Sequence, residues 1–318
     1  MKKDHKILGT VLILIIMILC IFCVNSAKTE NNNTFSYTEY PLERNNIKLH
    51  LDKIEKSGKH PNKNILLIHG VTYSSHEFDI NYKDYSLARA LAKEGYTVWR
   101  LDIAGYGRSE TVKNGFMPDS DYAAEDINAA VKKIIQITGQ DKIDLLGWSW
   151  GTVTTSRFAS KYPENLNRLV LFAPILTGIG KRDINEPFHQ NTWKHSIDDF
   201  QRDKKGHIDY TIVEPILAEL WASSCWNYDK DSSPNGGRRD ICVDKSKKLI
   251  DVSKFKVPTL IIYGDNDPYL NYESLESIPQ LLPKYSAVKI IKGGSHVAFV
   301  EKPYYKEFQK DLINFLNK

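Results

Sequence analysis

Residues 144–152 read Asp-Leu-Leu-Gly-Trp-Ser-Trp-Gly-Thr, and this stretch decides the fold. An apolar run leads into Gly147-x-Ser149-x-Gly151, and a segment with helical spacing, Val153 to Lys161, follows at once. A strand, a sharp turn and a helix in direct succession place a serine hydroxyl above a sheet, where it can act as a nucleophile. Glycines on both sides leave room where strand and helix crowd together. The stretch predicts a nucleophilic Ser149 if the chain also supplies a base, an acid and an oxyanion hole.

A base and an acid follow later in the chain. His296 comes after the last predicted strand, and Asp265 and Asp267 come after the strand before it. Because the carboxyl ends of parallel strands meet at one edge of a sheet, these side chains are expected near Ser149. A histidine activates a serine hydroxyl, and a carboxylate fixes the imidazole tautomer and stabilises the imidazolium. The residues themselves leave the acid open between Asp265 and Asp267.

The oxyanion hole needs backbone N–H groups aimed at the reacting oxygen. Trp150, directly after the predicted nucleophile, supplies one such N–H group. The loop after His69-Gly70 supplies the other, most simply from Val71. The His69 ring is expected to brace this loop rather than to act as a second base.

Strands and helices alternate along most of the chain, which predicts a mostly parallel sheet with helices on both faces and an antiparallel start. The alternation stops between residues 176 and 257, so we predict a helical cap inserted between core segments 35–175 and 258–318. The predicted strands are Phe35–Leu42, Ile47–Ile54, Asn64–Gly70, Tyr96–Leu101, Ile143–Leu146, Leu169–Phe172, Thr259–Gly264 and Ala287–Ile291. The predicted helices are Tyr85–Glu94, Tyr122–Ile137, Val153–Lys161, Ser274–Leu282 and Tyr304–Leu316.

Five motifs together resemble the α/β-hydrolase superfamily, in its cap-bearing branch of serine hydrolases. They are Leu-Ile-His-Gly at 67–70, Leu-Asp-Ile-Ala-Gly-Tyr-Gly-Arg-Ser at 101–109, Gly-Trp-Ser-Trp-Gly at 147–151, Gly-Asp-Asn-Asp-Pro at 264–268 and Gly-Ser-His at 294–296. The resemblance implies an α/β-hydrolase fold and makes Asp267, just before the proline, the catalytic acid. It further implies a Ser149–His296–Asp267 triad, an acyl-enzyme and no cofactor, with small or medium apolar acyl esters as substrates.

Two other functions stay open at this point. One is an aminopeptidase or amidase of the same fold, for which Glu214 and Glu219 are candidate ligands of a substrate amine. A Gly-Gly-Pro-Gly oxyanion loop, as in proline iminopeptidases, is missing after His69, which argues against a peptidase. The other is a non-catalytic surface binding protein, whose usual mark is a lost triad residue.

Tryptophans flank the predicted nucleophile and recur in the cap. Trp148 either lines the acyl pocket or packs around the elbow, and Trp193, Trp221 and Trp226 are candidates to roof the substrate site. Four cap residues also suggest a metal site, but their histidines are six positions apart and fit no compact helical ligand pair. We therefore expect no metal at this group, which comprises His189, His195, Asp198 and Asp199.

Size and charge limit the remaining possibilities. The chain has 318 residues, of which 42% are hydrophobic and 26% charged, as in ordinary globular proteins. The net charge of +4 is small and argues against nucleic acid as a main partner. We expect a small-molecule acyl substrate, and the oligomeric state stays open.

The segment 1–27 is predicted to direct export. Three lysines precede Ile7 to Val24, an almost wholly apolar run without charges. A signal peptide cleaved after Ser26 or Ala27 and an uncleaved membrane anchor both fit this pattern. Either one predicts a secreted or membrane-anchored protein with its catalytic domain outside the cytoplasm.

Cys225 and Cys242 are predicted to form a disulfide. Disulfides persist in the oxidising compartments that exported proteins reach. Closing the short loop between the two residues would stabilise the fold by about 3 kcal/mol on an entropic argument. The alternative is two free thiols, one of them buried.

Overall fold

The computed structural model describes residues 34–58, 62–272 and 275–318. The strands are β1 (Phe35–Arg44), β2 (Ile47–Lys56), β3 (Lys63–Ile68), β4 (Tyr96–Asp102), β5 (Ile143–Trp148), β6 (Leu166–Phe172), β7 (Phe188–Gln190), β8 (Ser232–Pro234), β9 (Thr259–Gly264) and β10 (Ala287–Ile291). Eight of them form the central sheet, in the order β1-β2-β4-β3-β5-β6-β9-β10. The pairs β1–β2 and β2–β4 are antiparallel, and the other five pairs are parallel. The mostly parallel sheet with an antiparallel start is confirmed.

Helices cover both faces of this sheet. They are α1 (Leu87–Lys93), α2 (Ser120–Thr138), α3 (Trp150–Lys161), α4 (Pro215–Tyr228), α5 (Gly236–Ile241), α6 (Ile278–Leu281) and α7 (Tyr304–Leu316). The helix predicted over 274–282 is shorter than expected: α6 has one turn, and positions 273–274 lie outside the described residues. The shortening is at the start of the helix, and Pro279 explains it, because proline is tolerated in the first turn of a helix but not in its interior.

The strand side chains alternate between two hydrophobic clusters, one on each face of the sheet. In β3, Leu66 and Ile68 belong to one cluster and Ile65 and Leu67 to the other, and all four are fully buried. Burying one such side chain stabilises a fold by ~1.5–3 kcal/mol, so a sheet buried on both faces is a rigid platform. The loops at its carboxyl edge are therefore held in place from below.

The segment predicted to be a cap, residues 176–257, lies between β6 and β9 and is less helical than predicted. It contains α4, α5, short 3₁₀ turns and a two-stranded antiparallel ribbon, β7–β8. Its Asp229, just after α4, accepts hydrogen bonds from the backbone N–H groups of Ser74 (3.0 Å) and Gly107 (2.9 Å). Two core loops are thus tied to the end of a cap helix.

The predicted disulfide is wrong, because Cys225 and Cys242 are both free and both buried. Cys225 packs in the cluster that contains α1 and α7, whereas Cys242 packs in the cluster that contains α2 and α3. Each thiol therefore has its own apolar surroundings. Burial also raises the pKa of the Cys225 thiol well above its usual value, which suppresses the thiolate needed for disulfide exchange.

The predicted export segment, residues 1–27, lies outside the described residues. Across 34–58, 62–272 and 275–318, the helices are too short or too polar to cross a bilayer. The choice between a signal peptide and an anchor stays a prediction.

Candidate active site

Ser149 sits in a sharp turn between β5 and α3, with backbone angles φ 57° and ψ −125°. This left-handed conformation is costly for a residue with a Cβ atom, by roughly 1–3 kcal/mol, and persists only where the surroundings enforce it. The two flanking glycines allow the close packing: a Cβ at Gly147 would lie 2.3 Å from the Gly151 carbonyl oxygen, and one at Gly151 would lie 2.5 Å from the Ile68 carbonyl oxygen. The turn places Ser149 directly after the carboxyl end of β5, where it lines a cavity.

His296 and Asp267 form a buried pair at the same edge. The His296 Nδ1 and Asp267 Oδ2 atoms are 2.7 Å apart. Burial lowers the pKa of His296, but the charge of Asp267 and this hydrogen bond more than offset it, so the net pKa is raised. The alternative acid, Asp265, is exposed and instead accepts a hydrogen bond of 2.6 Å from the Gly293 N–H group. Of the two candidate acids, Asp267 is therefore the one that contacts the imidazole.

The Ser149 hydroxyl and the His296 ring line one cavity, together with Val71. No hydrogen bond joins Ser149 Oγ to His296 in this arrangement, within the described part of the chain. Such bonds are often long before a substrate binds and tighten in the reacting complex. The structure thus brings the predicted acid and base into contact, and the predicted nucleophile lines the same cavity as the base.

The loop after β3 passes directly over the nucleophile. A Cβ on Gly70 would lie 3.0 Å from the Ser149 Cβ. His69 braces this loop: its Nδ1 is 2.7 Å from the Gly70 carbonyl oxygen, and its Nε2 accepts from the Ile103 N–H group at 3.1 Å. Burial lowers the pKa of His69, which keeps the ring neutral and unsuited to a second base role.

The two expected oxyanion donors lie on either side of Ser149. Trp150 opens α3, so its N–H group has no partner within that helix. Val71 follows Gly70 in the loop and lines the cavity. The role of these two N–H groups as oxyanion donors stays a prediction.

The residues from β3 to the loop before α7 match a family model described as the alpha/beta hydrolase fold, over 63–203 and 181–303. This chain belongs to the α/β-hydrolase fold family. A family of this kind acts on small molecules, which agrees with the enclosed site.

Relatives of this α/β hydrolase include enzymes of several kinds. A proline iminopeptidase from Saccharolobus solfataricus is 32% identical over 287 residues, which cover 80% of this chain and 86% of the relative. A putative non-heme chloroperoxidase from Synechocystis sp. is 28% identical over 266 residues, which cover 79% of this chain and 90% of the relative. The structure of a thermophilic esterase from Thermogutta terrifontis superimposes with a TM-score of 0.61 and 16% sequence identity, over 89% of this chain and 98% of the esterase. At this identity the similarity shows the fold alone.

The tryptophans of this α/β hydrolase pack rather than form a substrate pocket. Trp148 is buried, and its Nε1 donates to the His296 carbonyl oxygen at 3.0 Å. The Trp150 indole is also buried and donates to Ser120 Oγ at 2.9 Å. Trp221 packs edge-on against Trp148, with ring centroids 6.2 Å apart. Trp193 and Trp226 are 43% exposed. Among the described residues that line the cavity none is a tryptophan, so the packing alternative describes Trp148, and the structure does not bring Trp193, Trp221 or Trp226 to the cavity wall.

The cavity of this α/β hydrolase has a volume of about 310 Å³ and combines apolar with polar walls. A larger depression of about 510 Å³ lies near Lys245 and Tyr272, but none of the three triad candidates lines it. The smaller cavity is therefore the candidate active site. Cap residues on its walls are Ile179, Arg182, Ile184, His189, His195, Asp198, Asp199, Arg238, Ile241 and Cys242.

Sequence reasoning missed Arg238 and found His189 and His195 only as weak metal candidates. In the described ranges, no group of three or more histidine, cysteine or carboxylate side chains is arranged to hold a metal ion. Only the residue types of His189 and His195 drew attention to them. The cap sequence has no helix or strand periodicity, so it does not show which side chains point towards the cavity.

A second serine, histidine and aspartate are joined by hydrogen bonds where the cap meets the core. Ser224 Oγ is 2.8 Å from His76 Nδ1, and His76 Nε2 is 2.9 Å from Asp229 Oδ2. Ser224 lies inside α4, away from any strained turn, and Asp229 is already committed to two backbone N–H groups. These three residues form a contact between cap and core, rather than a nucleophile on a strained turn with its base.

Proposed function

We propose that this α/β hydrolase is a serine carboxylesterase that acts on esters with small or medium acyl groups. The observation that supports it most is the buried Asp267–His296 pair, which shares a cavity with Ser149 at a strained turn. A structural serine gains nothing from that strain, and a structural histidine does not need a carboxylate on one ring nitrogen and a cavity on the other side.

In the proposed reaction, Ser149 Oγ attacks the ester carbonyl carbon while His296 Nε2 accepts the hydroxyl proton. The carbonyl oxygen becomes an oxyanion held by the N–H groups of Trp150 and Val71, an effect worth ~3–4 kcal/mol for one donor in known cases. His296 then gives its proton to the leaving alcohol, and an acyl-enzyme remains on Ser149. Water then hydrolyses the acyl-enzyme. His296 takes a proton from the water as its oxygen adds to the acyl carbon, and His296 returns that proton to Ser149 Oγ as the carboxylic acid leaves.

The size of the cavity supports small or medium substrates. Its volume of about 310 Å³ is at the low end of the range for ligand pockets. Four isoleucines give it an apolar wall suited to an acyl chain: Ile175, Ile179, Ile184 and Ile241. A series of p-nitrophenyl esters from acetate to decanoate tests this point, because kcat/KM should peak at a short or medium chain and fall once the chain exceeds the cavity.

An aminopeptidase or amidase is the second candidate, favoured by the 32% identity to a proline iminopeptidase. Its predicted amine ligand, Glu214, is engaged elsewhere, since it accepts from Tyr82 and Tyr85 and pairs with Lys83. The carboxylates nearest the cavity are instead those of Asp198 and Asp199. Turnover of p-nitrophenyl esters without turnover of aminoacyl-naphthylamides supports the esterase, and the reverse result supports the peptidase.

We further propose export through residues 1–27. N-terminal sequencing of the protein from the cell envelope and from the medium tests it. A mature chain that starts near Ala27 indicates a cleaved signal, and an intact chain in the membrane fraction indicates an anchor. An intact chain in the cytosol contradicts both.

A further inference from the structure

The Arg238 guanidinium is a cation on the cavity wall with only neutral partners. It donates to Ser233 Oγ at 3.2 Å, to Asn235 Oδ1 at 3.2 Å and, more weakly, to the Pro234 carbonyl oxygen at 3.5 Å. Its other terminal nitrogen donates to Thr72 Oγ1. Within the described ranges, no carboxylate oxygen approaches the guanidinium to 4.0 Å or less. Because a sheltered charge normally has an ionic partner, this guanidinium is suited to bind an anion.

Three further polar atoms on the same wall have no hydrogen-bond partner among the residues that the structure describes. They are Tyr73 Oη, His189 Nε2 and His195 Nδ1, all of them buried. The two imidazole rings are neighbours, with centroids 4.7 Å apart. Burial and the nearby Arg238 charge lower the pKa of His189 to about 4, and burial lowers the pKa of His195. Burial raises the pKa of Tyr73, so its hydroxyl keeps its proton. One cation is therefore surrounded by neutral groups that can donate hydrogen bonds.

The acidic residues of the cavity have other partners at its rim. Asp198 is exposed and pairs with Arg202 at 3.1 Å, and Asp199 is exposed and accepts from the Tyr269 hydroxyl at 3.3 Å. Neither neutralises Arg238. The charge of Arg238 is thus left available to a ligand inside the cavity.

Arg238 is also close to the reacting centre. Its partner Thr72 directly follows the oxyanion donor Val71 and has a left-handed φ of 100°. Arg238, Val71 and Ser149 line the same cavity. A small molecule is therefore able to contact Arg238 and Ser149 at once.

We propose that Arg238, with Tyr73, His189 and His195, binds a carboxylate of the substrate, so that the ester hydrolysed at Ser149 belongs to a molecule that also carries a free carboxylate. This inference rests on the esterase function proposed above. A single guanidinium amid neutral donors matches a monoanion, and its planar fork suits the two oxygens of a carboxylate.

Two matched pairs of esters test the proposal on the wild-type enzyme. Mono-p-nitrophenyl adipate carries the carboxylate on the acyl side, and its methyl ester is the neutral control. The hexanoate ester of 4-hydroxybenzoate carries it on the alcohol side, and the corresponding methyl 4-hydroxybenzoate ester is the control. We expect kcat/KM to favour the carboxylate member of one pair by about tenfold or more, the scale of a charged hydrogen bond. Equal turnover within both pairs overturns the carboxylate site while leaving the esterase intact.

Variants of two adjacent arginines on α5 extend the test. Arg238→Gln should reduce the preference for the carboxylate member to near one, and Arg238→Lys should keep part of it. Arg239→Gln is the control, because Arg239 is exposed and rests on the Phe116 ring, 4.6 Å from its centroid. A preference unchanged in both Arg238 variants, with unfolding midpoints like that of wild type, contradicts the proposal. No turnover of any ester and no fluorophosphonate adduct on Ser149 would instead remove the esterase function, and this inference with it.

Discussion

Trp148 Nε1 donates a 3.0 Å hydrogen bond to the backbone carbonyl oxygen of His296. The last residue of the nucleophile strand thus holds the loop that carries the base. The two rings also lie close together, with centroids 5.7 Å apart. The position of His296 relative to Ser149 therefore depends on a side chain adjacent to the nucleophile in sequence.

Trp148→Phe should lower kcat while leaving KM nearly unchanged. The ring stays apolar but loses the hydrogen bond to the His296 loop, a net contribution of about 1 kcal/mol, so a fall of roughly fivefold is expected. Steady-state kinetics on a p-nitrophenyl ester measure it. Trp226→Phe is the control, since Trp226 is 43% exposed and is not among the residues that line the cavity. Equal kcat values for the two variants would argue against a positioning role for Trp148.

Asp267→Asn should change both the rate and its pH dependence. The base works when neutral, so kcat/KM rises with pH through the pKa of His296. Burial lowers the pKa of His296, but the charge of Asp267 and its hydrogen bond raise the net pKa above the usual histidine value, which moves the acid limb of the wild-type profile to higher pH. Removing the charge should move the limb to lower pH, while the rate falls by about 10⁴-fold because the tautomer is no longer fixed.

Asp265→Asn is the matched control for that experiment. Asp265 carries the same functional group two residues away, but it bonds to the Gly293 N–H group. We expect little change in the acid limb of this variant. If Asp265→Asn loses the activity and Asp267→Asn retains it, the acid has been assigned to the wrong residue.

Ser149→Gly should be more stable than Ser149→Ala, and both should be inactive. The φ of 57° strains any residue with a Cβ atom, and glycine relieves this strain. The relief of roughly 1–3 kcal/mol exceeds the entropic cost of glycine, at most about 1 kcal/mol. Urea unfolding of the two proteins measures the difference. An alanine variant as stable as the glycine variant would mean that the turn is relaxed in solution.

Cys225 and Cys242 should behave as two free thiols. Alkylation of the unfolded protein without a reductant should label both residues, and a reductant should not change the unfolding temperature of the folded protein. Each thiol has its own hydrophobic cluster, which explains why neither needs the other. If mass spectrometry finds a pair of peptides linked through Cys225 and Cys242, this prediction of free thiols is contradicted.

Most of the core was predictable because its signals are local. The elbow at Ser149 is encoded in five consecutive residues, and Asp267 and His296 each follow an apolar strand that ends at the same edge of the sheet. Helix α2 carries its own boundaries, with Asp119 accepting from the Tyr122 N–H group at 2.8 Å and Gly139 in the left-handed conformation. Periodicity and caps of this kind require no knowledge of the tertiary structure.

The cap was not predictable in the same way. Arg238 acquires its meaning only from Thr72, which is 166 positions away in the chain. Trp193 and Trp226 were predicted to roof the substrate site, yet both are 43% exposed and neither lines the cavity. The predicted disulfide depended on compartment rather than on distance. Long-range packing decided each of these cases, and no local pattern records it.

A fluorophosphonate probe, followed by peptide mass spectrometry, tests the central claim most directly. The folded protein should gain one adduct, on Ser149, and the Ser149→Ala protein should gain none. The structure makes the experiment discriminating, because Ser224 also contacts a histidine, at 2.8 Å. An adduct on Ser224, or none on folded wild-type protein, would contradict the account of Ser149 as the nucleophile.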